Sequence, residues 1–164
     1  MNIKTVLGTA LLSIATVAGA AATDNPQTTS GRLANRIVGA YQTEAQVRDC
    51  GSGGPDETVI NTIIFNQGGT VVAMPQFPPQ GANGYSRTID MGTWSYDPRT
   101  GRYSVNLRFY GFVNGELAGT STVEREVQMS NDNNTVSGPV HVTTVAPDGS
   151  VIAEVCGIAT STRL

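Results

Sequence analysis

Arg125 is the residue whose type and place could do chemistry. Read as a strand, the run 123–127 sends Val123, Arg125 and Val127 to one face and Glu124 and Glu126 to the other. A guanidinium among apolar neighbours costs several kcal/mol unless it is paired. It needs a carboxylate, a water-filled mouth or an anionic ligand. Glu154 and Asp90 are the candidate partners. One reading makes Arg125 the anchor for a ligand carboxylate or oxygen. The other makes it half of an internal salt bridge, or an arginine near the rim that reaches solvent.

Other chemistries find little support. His141 is the only histidine, and its place in the strand pattern turns it outward, away from any catalytic role. No Ser lies in a nucleophile elbow, and no P-loop or dinucleotide fingerprint is present. No cofactor is expected. No metal site is expected either, because no second Cys or His stands at ligand spacing from His141. The two cysteines, Cys50 and Cys156, are an even pair in a chain that carries export signals, which favours a disulfide.

The elements that must position Arg125 are strands. From about residue 58 onward, strand-like runs follow one another, joined by turns rich in Gly, Asn and Asp. Strands are expected at 41–48, 58–65, 70–74 and 87–96, followed by long ones between 102 and 162. A three-residue turn at Val113-Asn114-Gly115 would pair Phe112 with Glu116. One face then holds Tyr103, Val105, Leu107, Phe109 and Gly111 with Leu117, Gly119, Ser121, Val123 and Arg125; the other is polar and lets Arg102 meet Glu126. A four-residue loop at 131–134 pairs Met129 with Val136 and Arg125 with Val140. The last hairpin is open between two registers. A three-residue loop at Pro147-Asp148-Gly149 puts Ile152, Glu154, Cys156 and Ile158 inside, and is preferred. A four-residue loop puts Val151, Ala153, Val155 and Gly157 inside. The stretch 75–84, with three prolines and two glycines, should be the longest loop, over one end.

The expected fold is all-β: a single antiparallel up-and-down barrel of about eight strands. Eight is the number at which a closed sheet has room for side chains or one small ligand. A Cys50–Cys156 bond would tie the first strand to the last.

The N-terminus reads as a signal peptide, residues 1–22. Lys4 precedes an apolar run from Val6 to Val17, and small residues follow at 18–22. That run is too short to span a bilayer stably. Residues 23–38 read as a flexible leader and 39–164 as the barrel domain, secreted or periplasmic. About 140 residues remain, enough for one core. The chain has 13 acidic and 10 basic residues, with no basic run, so nucleic acid and anionic membranes are poor partners.

Gly92-Thr93-Trp94 resembles the Gly-x-Trp signature of lipocalins and other calycins. In that family the Trp plugs the barrel end and packs against an Arg near the last strand, which implies a structural Trp94 stacked on Arg163. Lipocalins carry the motif on the first strand, whereas here about three strands precede it. A broader resemblance rests on Tyr-Ser-Val-Asn-Leu-Arg-Phe-Tyr (103–110), Ala-Gly-Thr (118–120), Val-Glu-Arg-Glu-Val (123–127) and Cys-Gly-Ile-Ala-Thr-Ser-Thr-Arg (156–163). These look like a group of uncharacterised exported bacterial proteins with a calycin-like or allene oxide cyclase-like (dirigent-like) barrel. The resemblance implies fold and export and carries over no catalytic residue.

The expected function is binding of a small apolar or weakly acidic molecule inside the barrel. Tyr103, Leu107, Phe109, Val123, Val140 and Trp94 would form the walls, and Arg125, with Glu154 or Asp90, the polar contact. The alternatives are a cofactor-free cyclase or isomerase of the allene oxide cyclase or dirigent kind, and a solid-core barrel acting through its outer face.

Overall fold

A computed structural model describes residues 31–51, 54, 56–76 and 83–164. The expected signal peptide, the first half of the leader (23–30) and most of the proline-rich loop (77–82) lie outside the described residues. Among the described residues nine strands are present: β1 (Gly39–Asp49), β2 (Glu57–Phe65), β3 (Thr70–Pro75), β4 (Tyr85–Arg87), β5 (Asp90–Asp97), β6 (Arg102–Val113), β7 (Glu116–Met129), β8 (Thr135–Val145) and β9 (Val151–Arg163). β1, β2, β3, β5, β6, β7, β8 and β9 each pair antiparallel with the next, and β9 pairs back with β1. This is a closed eight-stranded up-and-down barrel. The extra strand, β4, pairs with Gly111–Val113 of β6, beyond the stretch of β6 that pairs with β5.

Strict alternation creates the inside. In β6 every second residue from Tyr103 to Gly111 is buried, and in β7 every second residue from Gly119 to Met129. The β6–β7 turn is two residues, not the three expected. Asn114 and Gly115 both have positive φ, 52° and 84°, as a twisted two-residue hairpin requires. Val113 pairs with Glu116, and a bulge then places Ala118 as an extra residue before Gly111 pairs with Gly119. Turn and bulge together restore the expected faces but move each later pair by two residues. Leu117 falls on the wrong side of the bulge for the interior and is 45% exposed, a correction to its expected inward place. The β7–β8 register is as expected, with Met129 opposite Val136 and Arg125 opposite Val140.

The last hairpin corrects the preferred register. The turn is the expected three-residue one, with Ala146 N–H donating to Ser150 O at 2.8 Å. A bulge at Ile152 follows, between the pairs Val145–Val151 and Thr144–Ala153. One added residue turns the strand over. Val155, Ala159 and Ser161 face inward, whereas Glu154 and Ile158 are exposed on the outside. Gly157 is needed where β9 crosses β1: a Cβ there would meet Gln46 O at 2.0 Å.

One barrel end is sealed. Tyr41 packs edge-on against Phe65 (centroids 5.7 Å apart), Phe65 against Trp94 (6.5 Å), and Trp94 against Tyr103 (6.0 Å). Such pairs add roughly 0.5–1.5 kcal/mol each beyond their burial. Residues 31–38, read from the sequence as leader, fold under this floor as a helical segment ending in a 3-10 turn, Asn35–Ile37, with Ile37 0% exposed. Tyr103 Oη donates to Leu33 O at 2.6 Å. Arg163 pins the segment by donating to Val38 O and Arg36 O at 2.9 and 2.8 Å. Its guanidinium stacks on Tyr41, 4.7 Å from the ring centre, and not on Trp94 as the lipocalin resemblance implies. Trp94 is instead held by Nε1 donating to Asn66 O at 3.0 Å.

Cys50 and Cys156 form a disulfide with Cα atoms 5.1 Å apart and a sequence separation of 106. The bond joins the end of β1 to β9.

Candidate functional site

Above the aromatic floor the barrel holds a cavity of about 420 Å³, within the range of small-molecule sites. Its walls are mostly apolar, with Ala45, Ile63, Leu107, Phe109, Val123 and Val140 among them. The period-two pattern of β1, β2, β6, β7 and β8 delivers these side chains to one volume.

Among the residues singled out from the sequence, Arg125, Asp90, Leu107, Phe109, Val123 and Val140 line this cavity. Trp94 and Tyr103 do not; they belong to the packed floor below it. Glu154 stands on the outer face, because the Ile152 bulge inverts β9, and cannot partner Arg125.

Arg125 is 6% exposed. Its Nη2 reaches Ser161 Oγ at 3.3 Å and, weakly, Ala159 O at 3.5 Å. Its Nε is buried with no hydrogen-bond partner. No carboxylate among the described residues pairs with it: the ion pairs are Arg87–Asp90, Arg102–Glu126 and His141–Glu124. Burial pulls its pKa down to about 10, as desolvation does to any buried cation.

Asp90 is engaged elsewhere. It forms a buried ion pair with Arg87, three residues earlier. Burial raises the Asp90 carboxyl above its ordinary value, and the Arg87 charge and hydrogen bond oppose the rise. The Arg87 guanidinium lies over the Phe109 ring, 3.5 Å from its centre. Arg87 eluded the sequence reading because the chain leaves the strand pattern at Thr88 and Ile89, between β4 and β5. That break lets residues 87 and 90 both face the cavity.

The cavity also holds Asn61, whose Oδ1 is buried without a partner. Simple alternation along β2 with Ile63 and Phe65 could have found it. Thr43, hydrogen-bonded to Ser161 (2.7 Å), and Ser121, hydrogen-bonded to Thr144 (2.8 Å), add hydroxyls to the lining, as does Tyr85, and Glu57 adds an exposed carboxylate.

Chemically, the site can hold an apolar body with one negatively charged end. Proton transfer has less support. Tyr103 is pushed up to about 12, mainly by burial and then by neighbouring Tyr96, and its hydroxyl is committed to Leu33. His141 lies on the outer face beside Glu124. There, strand pairing brings His141 together with Cys50 and Cys156, which no spacing along the chain suggests. No helix among the described residues is long and apolar enough to cross a membrane. No protein-family model, curated protein or solved structure matches the chain.

Proposed function

We propose that this is an exported protein that binds a small apolar carboxylic acid in the barrel, with Arg125 holding the carboxylate. The observation that carries the reading is Arg125 itself: a buried guanidinium on the cavity wall that forms no ion pair with any described carboxylate and has an unpaired Nε. Within the cavity, Arg87 and Asp90 cancel, and the other lining carboxylate, Glu57, is solvent-exposed, so the buried charge of Arg125 is left without a partner in an apolar setting, and a ligand anion would neutralise it. The apolar walls supply the rest of the affinity through burial.

Export is supported by the Cys50–Cys156 bond, which suits an oxidising compartment, and by the apolar N-terminal run with small residues after it. A cyclase or isomerase would use the same cavity, but Asp90 is tied to Arg87 and Tyr103 to the floor, so binding is the better reading. Native mass spectrometry of protein purified from its own host tests it. A co-purified acid, lost from Arg125→Met, is expected. An empty wild-type protein that also ignores a panel of fatty and aromatic acids would end the proposal.

A further inference from the structure

On the outside of the barrel, Cys50, His141 and Cys156 each offer a metal-ligand atom, and the three atoms lie within 4.8 Å of one another. They come from the turn after β1, from β8 and from β9. His141 is the ladder partner of both Cys156 and Glu124, and Glu124 Oε2 stands 3.8 Å from His141 Nδ1. His141 and Cys156 are partly buried. A disulfide has no use for an imidazole beside it. Two sulfurs and an imidazole are, however, three of the four ligands of a tetrahedral Cys/His zinc site.

We propose that reduction of the Cys50–Cys156 bond converts this clasp into a zinc-class metal site. A dithiol reductant supplies two electrons and two protons: the protein's S–S bond breaks, the reductant's own S–S bond forms, and Cys50 and Cys156 become thiols. The metal ion then displaces the two thiol protons to solvent and binds both thiolates and the His141 imidazole. The fourth position is open to the Glu124 carboxylate or to water. Thiolate and imidazole donors suit zinc, and soft monovalent copper as well. The metal would span the same β1–β9 seam as the disulfide, so the barrel stays clasped in either redox state. Cys50 lies in the turn after β1, its N–H donating to Glu154 O at 3.0 Å, so the backbone stays tied to β9 and side-chain rotation lets the sulfurs separate to become separate ligands.

Cobalt(II) titration of the full mature chain, reduced with a phosphine, tests this. One equivalent should bind, with the visible bands of tetrahedral cobalt and a thiolate charge-transfer band; zinc should displace it, and the oxidised protein should bind none. His141→Ala should weaken binding by at least the roughly 10–100-fold that loss of even an outer-shell partner costs. Circular dichroism is followed throughout. If reduction alone unfolds the barrel, zinc should restore the fold, and failure to do so overturns the proposal. A folded, reduced protein that takes up no cobalt, or a His141→Ala variant with unchanged affinity, also overturns it.

Discussion

Arg125 Nη2 donates to the Ser161 hydroxyl at 3.3 Å, and that hydroxyl lies 2.7 Å from Thr43 Oγ1. The guanidinium is thus held by neutral oxygens across β7, β9 and β1, not by an anion. Ser161 is 0% exposed, so its removal strands two polar groups. Ser161→Ala should destabilise the fold by roughly 1–3 kcal/mol, the usual consequence of leaving buried donors unmet. Urea melts check this, and an unchanged midpoint would show that the bridge contributes nothing.

Trp94 belongs to the floor, below the ligand cavity. Trp94→Ala should cost about 3–5 kcal/mol, as large aromatic truncations in cores do. Binding by whatever fraction remains folded should be kept. Loss of ligand uptake with a stability change under about 1 kcal/mol would instead make Trp94 a cavity contact.

The Cys50–Cys156 bond closes a separation of 106 residues. In metal-free buffer its reduction should destabilise the barrel by roughly 2–5 kcal/mol. Thiol titration of the denatured, unreduced protein should find no free thiol; two would contradict the pairing.

Asp90 makes stability depend on pH in a stated direction. Its folded pKa is raised above the ordinary 3.8, so in that range the folded state holds a proton the unfolded state has lost. The stabilising share is complete below 3.8 and is lost as the pH rises through the folded value. Asp90→Asn lacks this titration. The stability of wild type relative to Asp90→Asn should therefore fall as the pH rises from 3.8, and a difference that grows with pH would reverse the assignment.

The parts of this barrel legible from the sequence are those where alternation is unbroken. Tyr103 to Gly111 and Val123 to Met129 show their inner face directly, and the 131–134 loop aligns Arg125 with Val140. Bulges broke the reading. The Ala118 bulge left Leu117 outside, and the Ile152 bulge sent Glu154 to the surface, yet neither residue has a chemistry that marks an insertion. Arg87 was hidden by the break at Thr88 and Ile89. Ile37 was hidden because one apolar side chain in a polar leader carries no periodicity. Arg163 found Tyr41 and not Trp94, because the N-terminal segment that it pins lies at the Tyr41 side of the floor.

Thermal melts of wild type and Arg125→Met, with a chain-length series of fatty acids and the matching alcohols, test the central claim most directly. Arg125→Met removes a buried charge that has no counter-ion, so the empty variant should be as stable as wild type or more so. Acids at about a hundred times their Kd should stabilise wild type by roughly 2.7 kcal/mol, the matching alcohols much less, and Arg125→Met not at all. A variant less stable than wild type when empty, and stabilised equally by acids and alcohols, would contradict Arg125 as the ligand's anchor.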